Sequence, residues 1–119
     1  MLNLCDIKQI KNLLNKHQFK FSKSLGQNFI IDPEICPKMA ELCSENENSG
    51  ILEIGPGIGV LTVQLAKRFE KVVSVEIDKR LIPILSETVS EFENVKVINN
   101  DILEINLNKI IEEEFPDCT

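Results

Sequence analysis

Residues 50–59, Gly-Ile-Leu-Glu-Ile-Gly-Pro-Gly-Ile-Gly, constrain this chain more than any other segment. A short, mostly apolar run leads directly into three glycines at alternate positions, Gly55, Gly57 and Gly59. The run reads as a buried strand. A glycine turn at the carboxyl end of a strand reverses the chain into a helix and lets a ligand come close to the backbone. The pattern then alternates. Residues 60–69 (VLTVQLAKRF) read as a helix and 71–76 (KVVSVE) as a β-branched strand. Residues 80–92 follow as a helix, 95–98 as a third strand and 106–114 as another helical stretch. Pro83 is compatible with the helix because a first-turn nitrogen has no intrahelical acceptor to lose. Strand–helix alternation with short connections predicts an α/β fold with a parallel sheet and right-handed crossovers.

Upstream, Leu4, Ile7, Ile10 and Leu14 give helical spacing over residues 3–16. The stretch FKFSKSLGQNFIIDP reads as an irregular arm, and Asp32-Pro33 as the N-cap and first position of a helix running through Cys43. Residues 45–49 are a polar break. At 119 residues the chain holds one domain at most. With 43% apolar residues and mixed charge, wholesale disorder is excluded. No apolar run approaches the roughly 18–20 residues of a membrane span, and Asp6 interrupts any secretion signal.

The net charge of −6 conceals an asymmetry. Residues 1–38 carry +3, so the remainder carries −9. A basic arm on an acidic body is one way to touch nucleic acid; a solvated lysine face is the other reading. Cys5, Cys36, Cys43 and Cys118 form no C-x-x-C pair and there is one histidine, His17, so no metal site is expected. Cys36 and Cys43 fall two turns apart on one helix face, too far to bridge, and are expected as reduced core thiols of a cytoplasmic protein. His17 is expected at the surface.

The turn discriminates between ligands. A G-x-G-x-x-G dinucleotide fingerprint would place its third glycine at Val60, and a phosphate loop would need a Lys that is absent. A tight turn without a ligand is the alternative. Glu76 ends the second strand, 21 residues after Gly55, where an acid accepts hydrogen bonds from ribose hydroxyls. The alternatives are a surface carboxylate or part of a helix start with Asp78, and the turn before it favours the ribose. Asp101, at the third strand end, can receive the exocyclic amine of an adenine. Asp101-Ile-Leu-Glu104 also resembles a capping box, and the two roles are compatible. Ile77 and Ile102 follow these acids and are placed to sandwich an adenine ring.

A glycine turn, a ribose acid and an adenine acceptor describe a nucleoside without a pyrophosphate. The arrangement resembles the Rossmann-like class I methyltransferases, whose cofactor is S-adenosylmethionine. Glu53 matches the family's acidic position before the turn; it either orients the turn or faces the cofactor's amino group. Lys23-Ser-Leu-Gly-Gln-Asn28-Phe-Ile30-Ile-Asp32, with Glu53-Ile-Gly-Pro-Gly-Ile-Gly-Val-Leu-Thr62 and Val75-Glu-Ile-Asp78, resembles the bacterial ribosomal RNA adenine dimethyltransferases over residues 20–101. Ile30 stands where that family usually has Leu.

The resemblance implies S-adenosylmethionine-dependent dimethylation of N6 on two adjacent adenosines near the 3′ end of small-subunit (16S) rRNA, during ribosome biogenesis. It implies that Asn28 and Ile30 close over the cofactor, and that Gly55 and Gly57, Glu76 and Asp101 hold its methionine side, ribose and adenine. Lys20 and Lys23 are inferred from charge as RNA phosphate contacts. The family's catalytic Asn-Leu-Pro-Tyr/Phe motif does not occur in this sequence, so no catalytic residue is assigned. The expected organisation is a helix and basic arm over residues 1–33, then the first part of a cofactor-binding domain over 34–119. About three parallel strands are expected, with the fourth strand onward and a C-terminal helical domain absent. Such a piece would be inactive alone and bind cofactor weakly, and its open sheet edge offers a route to oligomers. The partner implied is the immature small ribosomal subunit, with no membrane. The alternatives are the related large-subunit (23S) rRNA adenine methyltransferases of antibiotic resistance, a non-catalytic RNA-binding assembly module, and a nucleotide-binding module unrelated to methylation.

Overall fold

The computed structural model describes residues 4, 6–19, 34–43, 49–116 and 118. The element order is α1 (Ile7–Lys16), α2 (Ile35–Cys43), β1 (Gly50–Ile54), α3 (Val60–Ala66), β2 (Lys71–Glu76), α4 (Ile82–Thr88), β3 (Val95–Asn99) and α5 (Leu107–Glu114). Short 3-10 turns occupy Lys79–Leu81 and Ile102–Glu104. The strands form one parallel sheet in the order β1-β2-β3. The expected α/β alternation and all three strands are therefore present. β2 is buried from Val72 to Glu76 because it is flanked on both sides, which is why its sequence is almost continuously β-branched. β3, at the edge, is only half-buried.

Two apolar clusters clothe the sheet. Leu4, Ile10, Leu13, Leu14 and Phe19 pack with Ile58, Val63, Leu81 and Ile84. Ala40, Leu65, Ala66, Phe69 and Val72 form the second. Helix α1 is amphipathic, with Lys8, Lys11, Asn12 and Asn15 outward. It begins at Ile7 rather than residue 3, because the Asp6 carboxylate accepts from the Lys8 N–H at 2.9 Å and caps it.

Two expected helices end early for identifiable reasons. After Ala66, α3 gives way to a turn whose Ala66 and Phe69 carbonyls both accept from the Asn94 side chain at 2.9 Å. The expected 80–92 helix is split. Asp78 caps a 3-10 turn by accepting from the Arg80 N–H at 3.0 Å, and α4 follows with Pro83 in its first turn. The Thr88 hydroxyl donates to the Ile84 carbonyl at 3.0 Å, back-bonding where α4 stops. The 95–98 strand runs one residue further, to Asn99.

Two expectations are corrected. His17 is not a surface residue: its side chain is 20% exposed, and Nε2 is buried without a hydrogen-bond partner, 3.6 Å from Glu87 Oε1. The cause is the docking of α1, whose buried face carries its last turn inward. Cys36 is buried but Cys43 is exposed, since α2 ends there, one turn past its last buried residue Ala40. The arm with Lys20, Lys23, Asn28, Ile30, Asp32 and Pro33 lies outside the described residues.

The three turn glycines differ in what surrounds them. All have positive φ: 68° at Gly55, 62° at Gly57 and 98° at Gly59. A Cβ on Gly55 or Gly57 would meet nothing within 4 Å, whereas on Gly59 it would lie 2.9 Å from Thr88 Cγ2 and 3.3 Å from Leu85 Cδ2. Gly59→Ala should therefore cost about 2–4 kcal/mol, from backbone strain plus overpacking against α4. Gly55→Ala should cost about 1–2 kcal/mol, from strain alone. Urea unfolding midpoints of the two variants check this ordering.

Candidate functional site

The carboxyl ends of the three strands assemble the site. At β1, Gly55 N–H donates to the Val75 carbonyl at 2.9 Å, carrying the ladder one residue past the strand. Gly59 N–H donates to Pro56 O at 3.0 Å, closing the turn, and Val63 N–H donates to Gly59 O to start α3. Ile58, 1% exposed, plugs the turn into the core. Gly55 and Gly57 face open space, so the turn presents bare backbone on its outer side.

At β2, Glu76 is buried, and its two oxygens take different amides. Oε1 accepts from Gly57 N–H at 3.3 Å and Oε2 from Asp78 N–H at 2.9 Å. The structure thus brings the predicted ribose acid against the predicted glycine turn. Glu76 is not a surface carboxylate; its relative exposure is 5%. Asp78 accepts from Arg80 Nε at 3.0 Å and Nη2 at 2.7 Å, and the guanidinium lies 5.1 Å from the Phe19 ring centre. Ile77 is exposed beside the turn.

At β3, Asn99 Nδ2 donates to Glu76 O at 2.8 Å and fastens the two strand ends together. Asp101 Oδ1 accepts from Leu103 N–H at 2.9 Å, so the capping reading of this acid holds. The N–H of Asp101 goes to Asn100 Oδ1 at 2.7 Å rather than to Glu104, which departs from a true capping box. Asp101 and Ile102 remain half-buried.

Glu53 is buried in β1 directly across from Ser74 in β2. Its Oε1 accepts from Ser74 Oγ at 2.8 Å and from Thr62 Oγ1 at 2.5 Å. Burial pushes the Glu53 carboxyl above its ordinary range; the two hydroxyls oppose this and the nearby Glu76 adds to it. Sequence reasoning gave Thr62 and Ser74 no role. The available signal was Ser74 itself, a lone hydroxyl inside the β-branched run Lys71–Glu76.

Chemically the arrangement is one-sided. Glu53, Glu76 and Asp101 face the strand ends, while the Gly57 amide that a phosphate would seek is already taken by Glu76. Such a site favours a ligand with hydroxyls, an amine and positive charge. Among the described residues, no group of three His, Cys, Asp or Glu is placed to hold a metal ion.

A family model described as "Ribosomal RNA adenine dimethylase" matches residues 18–119. A "Ribosomal RNA small subunit methyltransferase A" of Bacillus pumilus is 50% identical over 108 residues, 91% of this chain and 37% of the relative. One of Alkaliphilus oremlandii is 51% identical over 109 residues, 92% of this chain and 38% of the relative. The chain thus spans well under half the length of the curated relatives it matches. Among solved structures, the 23S rRNA methyltransferase ErmE superposes with a TM-score of 0.62 at 39% identity, over 66% of this chain and 32% of that one. A dimethyladenosine transferase from Plasmodium falciparum superposes with a TM-score of 0.56 at 28% identity, over 64% of this chain and 28% of that one.

The position of Glu53 has a consequence for stability. A carboxyl raised in the folded state binds its proton more tightly there than in the unfolded chain. Stability therefore falls as pH rises from the ordinary value of 4.5 through the raised one, and stays lower above it. Glu53→Gln keeps an acceptor for Thr62 and Ser74 and removes the buried charge. Its melting temperature should exceed that of the parent chain by a few degrees at neutral pH, with the gain shrinking toward pH 4.5. Thermal melts across that range provide the check.

Proposed function

The chain belongs to the ribosomal RNA adenine dimethylase family, and from that premise we propose that its strand-end site holds S-adenosylmethionine for N6-dimethylation of adenosines in small-subunit rRNA. Its three parallel strands and flanking helices are part of the Rossmann-like class I methyltransferase fold. The observation that carries the proposal is the meeting of Glu76 with Gly57, in a turn where Gly55 and Gly57 open onto empty space. A nucleoside carrying an amino acid fits there: a Cβ at Gly55 or Gly57 would fill the cradle, and the carboxylates suit a cationic ligand.

In this reading Gly55 and Gly57 lie under the methionine end of the cofactor and Glu53 serves its ammonium. Glu76 accepts from the ribose hydroxyls. Asp101 accepts from the adenine amine while keeping its cap on the 3-10 turn, since a carboxylate has several acceptor sites. Ile77 and Ile102 cover the two faces of the ring. Asn28 and Ile30 close the pocket from the arm, and Lys20 and Lys23 meet RNA phosphates. S-adenosylmethionine supplies an electrophilic methyl group on its sulfonium sulfur. The residues of this chain contribute by fixing the cofactor in place, since positioning is the main device for an in-line transfer. Activation of the adenine N6 is assigned outside these residues, because the sequence holds no Asn-x-Pro-Tyr or Asn-x-Pro-Phe.

The division proposed is a helix and basic arm over 1–33 and a cofactor-binding unit over 34–119. The partner is the immature small ribosomal subunit, in the cytoplasm. Among the described residues no helix is long and apolar enough to cross a membrane. Neither β1 nor β3 has a second strand neighbour among the described residues, and these edges are the proposed route to self-association. The likeness to ErmE supports large-subunit rRNA as the second reading. Small-subunit rRNA is favoured by the relatives at 50% and 51% identity, which are small-subunit rRNA methyltransferases.

Calorimetric titration tests the cofactor assignment. S-adenosylmethionine should bind the parent chain, and NAD should not displace it. Glu76→Ala should weaken binding roughly tenfold to hundredfold, the scale of hydrogen bonds to a charged group. Gly57→Ala should weaken it similarly by filling the cradle, with circular dichroism unchanged. Binding that survives both substitutions would remove the strand-end site from consideration. For the RNA assignment, Lys20→Ala and Lys23→Ala should each weaken rRNA binding and lower its salt slope by about one.

A further inference from the structure

Of the three strand-end carboxylates, Glu76 and Asp101 are held by backbone N–H groups, whereas Glu53 is held by side chains alone. Both of its donors, Thr62 Oγ1 and Ser74 Oγ, converge on the same oxygen, Oε1. They come from different elements. Thr62 lies in the first turn of α3, just past the glycine turn, and Ser74 is the register partner of Glu53 on β2. Both are fully buried. No donor among the described residues reaches Oε2, while Glu53 as a whole retains 8% exposure. Two donors on one oxygen fix the plane of a carboxylate and leave the other oxygen available.

We propose that Thr62 and Ser74 are positioning residues that keep Glu53 ionised and turned so that Oε2 receives the ammonium of the ligand's amino-acid end. The proposal rests on the reading that the site holds S-adenosylmethionine. Its physical basis is a contest at one side chain. Burial favours the neutral acid, and Glu76 is the charged group among the described residues that adds to this. Hydroxyl donors favour the anion. An ammonium forms an ion pair, in addition to its hydrogen bond, only with the anion. Affinity for an ammonium-bearing ligand is thus tied to two hydroxyls that need not touch it, whereas a ligand lacking the amino acid is indifferent to them. A brace that merely fastened α3 to the sheet would treat both kinds of ligand alike.

The test uses the whole 119-residue chain and the variants Thr62→Ser, Thr62→Val and Ser74→Ala. Side-chain carbon NMR first follows the titration of Glu53 without ligand. Thr62→Val and Ser74→Ala should move it upward, while Thr62→Ser, which keeps the hydroxyl, should leave it in place. Calorimetry at pH 6 and pH 8 then compares S-adenosylhomocysteine, which carries the amino acid, with 5′-methylthioadenosine, which does not. For S-adenosylhomocysteine, Thr62→Val and Ser74→Ala should lose roughly tenfold more affinity at pH 6 than at pH 8, the scale of one hydrogen bond to a charged group. For 5′-methylthioadenosine they should stay near the parent value at both, and Thr62→Ser should behave as the parent throughout. Equal losses for the two ligands, or no pH dependence, would overturn the proposal in favour of a structural brace. An unmoved Glu53 titration would overturn it even if the parent binds both ligands. A moved titration in a parent chain that binds neither would instead sink the cofactor reading, and the ammonium role with it.

Discussion

A carboxylate inside a parallel sheet is expensive to desolvate, and the local architecture around Glu53 follows from meeting that cost. Its acceptor must be satisfied from the same face of the sheet, which requires a hydroxyl on the neighbouring strand at the same register position. Ser74 supplies it, and so the pairing Glu53↔Ser74 ties β1 and β2 into one register. A one-residue slip would turn Ser74 to the opposite face and leave the carboxylate unpaired. Thr62 must arrive from above, which fixes where α3 begins and how closely it sits on the sheet. The glycine turn is the covalent path from Glu53 to Thr62, and its three left-handed residues compress that path.

The turn therefore has two masters. On its inner side, Ile58 and Gly59 are dictated by packing: Ile58 is buried, and the hydrogen atom in place of a Cβ on Gly59 lets Thr88 and Leu85 of α4 come close. On its outer side, nothing in the protein presses on Gly55 or Gly57. Their bare backbone has no packing purpose that the structure reveals. Glu76 bridges the two sides by taking the Gly57 amide while remaining at the open strand end.

Much of this was legible in the residues. The strand β1 was bounded on the sequence by its own glycines, and β2 by its β-branched run; both are observed with those limits. Helix ends were less legible because side chains from distant positions set them. Asn94, for example, reaches back 28 residues to the Ala66 carbonyl. His17 and Cys43 were misplaced for the same reason: each sits at a helix terminus, where periodicity no longer says which face meets the body. At the strand ends, Gly55, Gly57, Glu76 and Asp101 were singled out by type and spacing, and Glu53 by the family resemblance. Thr62 and Ser74 were not, since a hydroxyl acquires meaning only when the fold sets it against a buried carboxylate.

The charge pattern gains a sharper sense from this geometry. Carboxylates dominate the strand ends, yet two of the three already accept backbone N–H bonds. Glu53 alone lacks such amides, is raised by its surroundings, and keeps one oxygen without a donor among the described residues. It is accordingly the position at which an incoming positive charge gains most, because the cation relieves a cost that the fold leaves partly unmet. In the proposed reading, recognition of a nucleoside and of its charged tail are separated within one site: the former is assigned to acids that already accept backbone N–H bonds, the latter to one that does not.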